Sequence, residues 1–221
     1  MRFLTLLLPL AALAQAAVTV TGSAMSDCSA HMPLPKNYKS LSIGIIVYEL
    51  ATPLDYFGPL QYFEELSVVG VDVRMSTIGQ KAGSMVSRED GIPYHATHDY
   101  KDLPADTKFD VLMITGGSPE AVLADVDFMA FITEQGKRAD YATANKMYFN
   151  DIAALFTKVD WQRKARWVVD GNLWTGSGVA AGMDMGRAFI ANVFGEATAT
   201  LLGKNLEIVA DTDPSNDPYA V

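Results

Sequence analysis

Apolar residues of the chain fall into short continuous runs and into longer stretches with helical spacing. Residues 41–48 (LSIGIIVY) are nearly all apolar and include β-branched residues, which is typical of a strand buried on both faces of a parallel sheet. Residues 71–78 predict a second strand and residues 109–115 a third, with a looser region between them that is compatible with a hairpin. Residues 164–175 predict two more short strands around an Asp-Gly turn.

Helical spacing of apolar residues follows several of these strands. After Pro59 the repeat predicts a first helix, and residues 119–138, which open with a proline, carry the strongest apolar stripe and predict a second. Residues 178–194 predict a third helix with a glycine at every fourth position from Gly178, which allows close packing. Alternating strands and helices predict an α/β fold, a flavodoxin-like doubly wound parallel sheet sandwich whose ligands bind at the carboxyl ends of the strands.

Both ends of the chain differ from this central part. Residues 1–16 combine an early arginine, an apolar run and Ala-Gln-Ala, which predicts a signal peptide and a secreted protein. The run is shorter than the roughly 20 residues of a membrane-spanning helix, so we expect no stable membrane association. Residues 17–39, rich in Ser, Thr and Pro, are expected to be an N-terminal extension, 40–209 the single domain, and 210–221 an acidic flexible tail without a role.

Composition and charge limit the chemistry of the domain. The chain is 49% hydrophobic, which indicates a globular protein, and its net charge of -9 argues against a nucleic-acid partner. Cys28 is the single cysteine, so no disulfide forms within the chain. His95 and His98 lack a recognisable further ligand, so neither a metal nor another cofactor is predicted. Ser118 and Ser177 adjoin glycines outside any Gly-x-Ser-x-Gly sequence, which disfavours a serine nucleophile.

Four segments together resemble one known superfamily. They are TPLDYFGPLQYF from Thr52, FDVLMITGG from Phe109, ATANKMYF from Ala142 and ARWVVDGNLWTGSGVAAGMDM from Ala165. In this order, over about residues 40–195, they resemble the ThiJ/PfpI superfamily (class I glutamine amidotransferase-like), and most of all its isonitrile hydratase branch. The resemblance implies a flavodoxin-like fold, a small-molecule substrate or ligand and a homodimer.

The resemblance also implies roles for particular residues. In the superfamily a cysteine on a sharp turn after the central strand is the nucleophile, and an acidic residue after the first strand hydrogen-bonds it. Asp55 matches that acidic position, and Gly116 and Gly117 match the turn whose backbone N–H groups bind a developing oxyanion. Without the resemblance, Asp55 could simply cap a helix and the two glycines could form a tight turn.

The chain departs from the superfamily pattern where the nucleophile is expected. The helix of residues 119–138 runs straight into residues 139–143 (ADYAT), so a strand, a turn and a helix, about twenty residues at ordinary element lengths, are missing. Cys28 precedes the first predicted strand and does not replace the nucleophile.

Three hypotheses follow from this gap. The first is an enzyme of the isonitrile hydratase type, in which a thiolate forms a thioimidate that water converts to an N-substituted formamide. The second is a secreted, non-catalytic binding or stress-related protein. The third is a coding sequence that has lost the segment. As written, the chain is expected to be inactive as a hydratase.

Overall fold

The computed structural model describes residues 17–20, 38–86, 91–118, 120–135 and 140–220. The predicted signal peptide and Cys28 lie outside the described residues.

Short strands and helices alternate along the described chain. The strands are β1 (Ala17–Val20), β2 (Ser40–Ile46), β3 (Asp72–Gly79), β4 (Gly83–Val86), β5 (Pro93–Ala96), β6 (His98–Asp99), β7 (Val111–Ile114), β8 (Tyr141–Ala142), β9 (Asp160–Trp161), β10 (Trp167–Asp170) and β11 (Leu173–Gly176). The α-helices are α1 (Pro53–Glu64), α2 (Glu120–Ala124), α3 (Val126–Gln135), α4 (Phe149–Leu155), α5 (Val179–Phe194) and α6 (Glu196–Asn205). Two 3-10 helices cover Glu65–Val69 and Tyr100–Asp102.

The main sheet has the order β10-β11-β1-β7-β2-β3-β6. β2 pairs in parallel with β3 and β7, and β3 pairs in parallel with β6, whereas β10 and β11 form an antiparallel hairpin. β2 and β7 are almost wholly buried, as their apolar runs predicted. The predicted α/β fold around a parallel sheet is confirmed, and β4 and β5 form the hairpin expected between the second and third predicted strands.

β1 is the main difference from the expected organisation. Residues 17–39 were expected to precede the first regular element, but Ala17–Val20 form a strand between β7 and β11, antiparallel to both. An N-terminal segment therefore takes the place in the sheet where the superfamily resemblance leads us to expect the central strand. Backbone groups of β7 and β11 that face each other across this place need partners, and an extended segment lying between them supplies hydrogen bonds to both strands.

Helices α1 and α5 pack closely on one another beside the sheet. At Gly58 a Cβ atom would lie 2.5 Å from Cγ of Met183, and at Gly186 it would lie 3.2 Å from Cβ of Pro59. Both helices therefore approach each other at positions without a side chain, which agrees with the close packing predicted for the α5 glycines. No helix in the described part of the chain is both long and apolar enough to span a membrane.

The predicted helix of residues 119–138 is divided into α2 and α3. Asp125 lies between them, and its carboxylate accepts a hydrogen bond from the backbone N–H of Phe128 at 3.0 Å. This bond satisfies one of the free N–H groups at the start of α3, so Asp125 starts a new helix instead of continuing the first.

The C-terminal segment after α6 packs against the domain, whereas a flexible tail was expected. Asp217 is buried, the carbonyl of Pro214 accepts from the backbone N–H of Arg166 at 2.6 Å, and the N–H of Asp211 donates to Asp184 at 3.1 Å. A buried charge needs a partner, and this segment supplies one to Asp184 through the N–H of Asp211.

Candidate functional site

Asp55 lies in the first turn of α1, directly after the loop that follows β2. Its backbone N–H donates to the carbonyl of Thr52 at 3.1 Å, and the residue is only 5% exposed. A carboxylate in the first turn interacts favourably with the partial positive charge of the helix N-terminus. Asp55 therefore occupies the first turn of the helix and not the N-cap, which is Thr52.

Burial raises the pKa of the Asp55 carboxyl from its ordinary 3.8 to about 6, although a hydrogen bond with the Thr52 side chain opposes the change. The folded protein thus holds this proton more tightly than the unfolded chain does. Between about pH 4 and pH 6 the folded state must give up a proton at a cost, so this carboxyl contributes less to stability as the pH rises.

Replacing Asp55 with asparagine is expected to stabilise the protein at pH 7 and not at pH 4. A tenfold change in proton affinity corresponds to about 1.4 kcal/mol, so we expect the D55N chain to gain about 1–3 kcal/mol in its free energy of unfolding at pH 7. Urea unfolding at the two pH values measures the difference. The exposed Asp106→Asn variant is the control and should change little at either pH. An equal effect of D55N at pH 4 and pH 7 would contradict the assignment.

Two tyrosines hold the loop between β2 and α1. The Tyr94 hydroxyl donates to the carbonyl of Tyr48 and accepts from the N–H of Ala51 at 3.2 Å, and the Tyr48 hydroxyl donates to the carbonyl of Thr115 at 2.9 Å. Burial, with the nearby charge of Asp55, raises the pKa of Tyr48 above its ordinary value. In the same loop Leu50 has a φ of 66°, a left-handed conformation that is costly for leucine.

Gly116 and Gly117 follow β7 and pack against this loop. The carbonyl of Gly116 accepts from the N–H of Thr52 at 2.8 Å, and the N–H of Ser118 donates to the carbonyl of Leu50 at 3.1 Å. Gly117 has a φ of 145°, and a Cβ atom there would lie 2.5 Å from the Leu50 carbonyl oxygen. Only glycine fits this close approach, so the structure brings the predicted Gly-Gly turn to the same sheet edge as Asp55.

A second polar group lies at the same edge, on the other side of β1. Ala17 is in register with both Ile114 at the end of β7 and Thr175 in β11. The carboxyl ends of β7 and β11 therefore lie at the same edge of the sheet, and so do the residues that follow them. Ser177 follows β11 and is buried, whereas Ser118 is exposed. We define the Lys146 cluster as Thr143, Lys146, Ser177 and Asp217.

His95 and His98 each contact a threonine hydroxyl. Nδ1 of His98 lies 2.7 Å from the hydroxyl of Thr97, and the backbone carbonyl of His95 accepts from the Thr77 hydroxyl. Within the described ranges, no group of three or more His, Cys, Asp or Glu side chains could hold a metal ion.

Comparison with known proteins agrees with this architecture. No family model matches the chain. An isonitrile hydratase of Pseudomonas putida is 24% identical over 189 residues, covering 76% of this chain and 78% of that protein. The crystal structure of a ThiJ/PfpI family protein from Pseudomonas syringae superposes with a TM-score of 0.64 at 24% identity, over 89% of this chain and 86% of that one. The chain has the ThiJ/PfpI fold.

A more distant structure has the same fold. DJ-1beta of Drosophila melanogaster superposes with a TM-score of 0.58 at 13% identity, over 77% of this chain and 99% of that one. The resemblance to the ThiJ/PfpI superfamily, close to isonitrile hydratase, is thus confirmed, whereas the roles of Asp55, Gly116 and Gly117 remain predictions.

Sequence reasoning missed several residues that surround the edge of this ThiJ/PfpI fold. Tyr48 ends the apolar run of residues 41–48. Its position in the sequence therefore indicates a hydroxyl group at the carboxyl edge of the sheet. Lys146 lies within one of the four superfamily-like segments, but nothing in the sequence near it indicates burial. Tyr94 and Asp217 come from the hairpin and the C-terminal segment, and no local pattern connects them with the site.

Proposed function

We propose that this chain is a ThiJ/PfpI-fold protein, related to isonitrile hydratase, that binds a small molecule without hydrating an isonitrile. The observation that carries the proposal is the direction of β1. The superfamily nucleophile is expected after a central parallel strand, at the carboxyl edge of the sheet. β1 is antiparallel to β7, so the first residue of β1, Ala17, lies at this edge. The chain leaves β1 at the opposite edge, where no nucleophile is expected.

Asp55 cannot by itself perform the chemistry of such an enzyme. Isonitrile hydration by a thiol requires a sulfur nucleophile that attacks the isonitrile carbon, and a carboxyl group beside it can only orient groups and transfer protons. Among the described residues no cysteine lies at the edge where Asp55 and the Gly-Gly turn meet. The polar groups at this edge of the sheet can still bind a ligand.

The sequence predicted as the helix of residues 119–138 runs straight into residues 139–143 (ADYAT), while the superfamily-like segments on both sides keep their order. This arrangement supports the hypothesis that the coding sequence has lost a segment. Sequencing the transcript across the Tyr141–Ala142 junction distinguishes a lost segment from a real deletion.

The purified chain is expected to form no formamide from an isonitrile above the uncatalysed rate. Removal of a nucleophile commonly costs about 10⁴- to 10⁶-fold in turnover, so the difference from the Pseudomonas putida enzyme, assayed in parallel, should be of this order. Formamide production is followed by chromatography, before and after treatment with a thiol blocker. Cys28→Ser is the matched control, because Cys28 is the single cysteine. Turnover that is lost in C28S would overturn the proposal.

The remaining features are part of the same proposal. Cleavage after Ala16 and secretion rest on the sequence of residues 1–16, with its early arginine, apolar run and Ala-Gln-Ala ending. A homodimer and a small-molecule ligand are implied by the resemblance to the superfamily.

A further inference from the structure

Lys146 is a buried cation, and in the part of the chain that the structure describes it is paired with one carboxylate, that of Asp217. Its Nζ donates to the Thr143 hydroxyl at 2.9 Å and to the carbonyls of Ala144 and Ala165 at 3.1 and 2.8 Å. Nζ also lies 3.2 Å from Oδ2 of Asp217, and the two side chains are only 6% and 1% exposed. Neutral acceptors therefore take the ammonium protons, and Asp217 supplies the opposite charge.

Asp217 reaches this position from the C-terminal segment. Its Oδ1 accepts a hydrogen bond from the backbone N–H of Tyr219 at 3.0 Å, and the nearby Ser177 side chain lowers the pKa of its carboxyl. Burial by itself would raise the pKa of this carboxyl, but these hydrogen bonds and Lys146 together lower it. Burial lowers the pKa of Lys146, and the interaction with Asp217 opposes that change.

Groups of the cluster other than Asp217 lie on the body of the domain. Thr143 follows β8, and its N–H donates to the hydroxyl of Thr175 in β11 at 3.1 Å. Ser177 lies between β11 and the first turn of α5. β11 is two strand positions from β7, about 10 Å, so the cluster faces the same sheet edge as the Gly-Gly turn.

We propose that Lys146, positioned by Thr143, and Ser177 form a carboxylate-binding site, which the chain's own Asp217 occupies and which accepts a small carboxylate when Asp217 is absent. The site thus has a built-in ligand. This proposal goes beyond the proposed function, because it assigns carboxylates as the class of ligand that this edge of the sheet binds.

The physical basis of the proposal is the cost of an uncompensated buried charge. An ammonium taken out of water needs a counter-charge with good geometry, and losing one partner of a buried pair is much more costly than losing an exposed one. The groups facing Asp217, an ammonium and a hydroxyl, are those that bind carboxylates in general. They recognise the carboxylate itself, so its covalent connection to the C-terminal segment is not required.

Chemical rescue tests the site in the full-length chain. Asp217→Ala removes a group the size of formate, so formate should fill the space and restore the melting temperature, Tm, that the substitution lowers. A tenfold excess of formate over its dissociation constant should raise the Tm of D217A by about 3–6 °C, and the rise should continue with the logarithm of the concentration. The wild-type chain, whose site is occupied, should show no such rise beyond that caused by chloride at equal ionic strength.

Three controls separate carboxylate recognition from a general salt effect. Asp213→Ala alters an exposed aspartate of the same segment and should not respond to formate. The double variant K146M/D217L removes both charges and should also fail to respond. Trimethylacetate, which is too large for the space, should not rescue D217A.

Each outcome decides the proposal. If D217A is unfolded without additives, refolding driven by formate replaces the Tm shift as the supporting result. A D217A chain that responds to formate no more than to chloride, or that stays unfolded at every formate concentration, overturns the proposal. The measurement follows unfolding and not turnover, so its failure leaves the prediction about isonitrile hydration unaffected.

Discussion

A chain that begins at Thr21 is expected to lose cooperative folding, whereas a chain that begins at Ala17 folds. The two chains differ by the four residues of β1, which lie in register with three residues of β11 and four of β7. Each backbone hydrogen bond contributes about 1 kcal/mol, and a buried group left without a partner costs about 1–3 kcal/mol. Added over the residues paired with β1, these free energies are comparable with the 5–15 kcal/mol that stabilises a typical domain. We therefore expect the chain that begins at Thr21 to aggregate or to form a molten state.

Tryptophan fluorescence during urea unfolding measures this difference. Trp174 lies in β11, is buried, and is in register with Val18 of β1, so its emission reports on this part of the sheet. Size-exclusion chromatography shows whether the shorter chain aggregates. Equal denaturant midpoints and equal slopes for the two chains would show that β1 does not complete the sheet.

Replacing Arg166 with methionine is expected to destabilise the protein by about 3–5 kcal/mol at pH 7. Arg166 donates to Oδ2 of Asp184 from Nε at 2.8 Å and from Nη2 at 2.5 Å, and the two side chains are 12% and 9% exposed. Burial raises the pKa of Asp184, while Arg166 opposes that rise. Without the guanidinium, the carboxylate on α5 stays buried, and within the described ranges the N–H of Asp211 is the hydrogen-bond donor that remains beside it.

The loss in R166M should be smaller in acid. Without the arginine the pKa of Asp184 rises further in the folded state, so the folded variant binds a proton more readily than the unfolded chain as the pH falls. Urea unfolding at pH 7 and pH 4.5 measures both effects. Arg74→Met is the control, since Arg74 and its partner Asp72 are 71% and 69% exposed and the pair should contribute at most about 1 kcal/mol. Equal losses in R166M and R74M would contradict a buried ion pair.

Most of the sheet and the long helices could be predicted because their signals are local. β2 and β7 are apolar at consecutive positions, and α5 has an apolar stripe at helical spacing, so a short window of sequence contains the information. The superfamily-like segments fall on these same elements, which is why Asp55 and the Gly-Gly turn could be placed at one edge before the structure was known.

β1 had no comparable signal. Four residues (AVTV) are too short to show a period, and they stand in a stretch whose serines, threonines and prolines predict a loop. They form a strand because β7 and β11 leave a place between them, and the sequence of residues 17–20 does not contain that information. The division of the helix at Asp125 is similar, because a single capping side chain outweighed a continuous apolar stripe.

The sequence by itself determined the α/β class, the order of the main elements, the superfamily-like segments and the absence of a cysteine where a nucleophile is expected. Tertiary structure alone decided which segment completes the sheet, that Lys146 is paired with Asp217, and that Arg166 is paired with Asp184. The physical reason is that periodic burial is encoded within a few turns or strand residues. The partners of buried charges and of unpaired strands, in contrast, come from segments that are distant in sequence and that only the complete fold brings together.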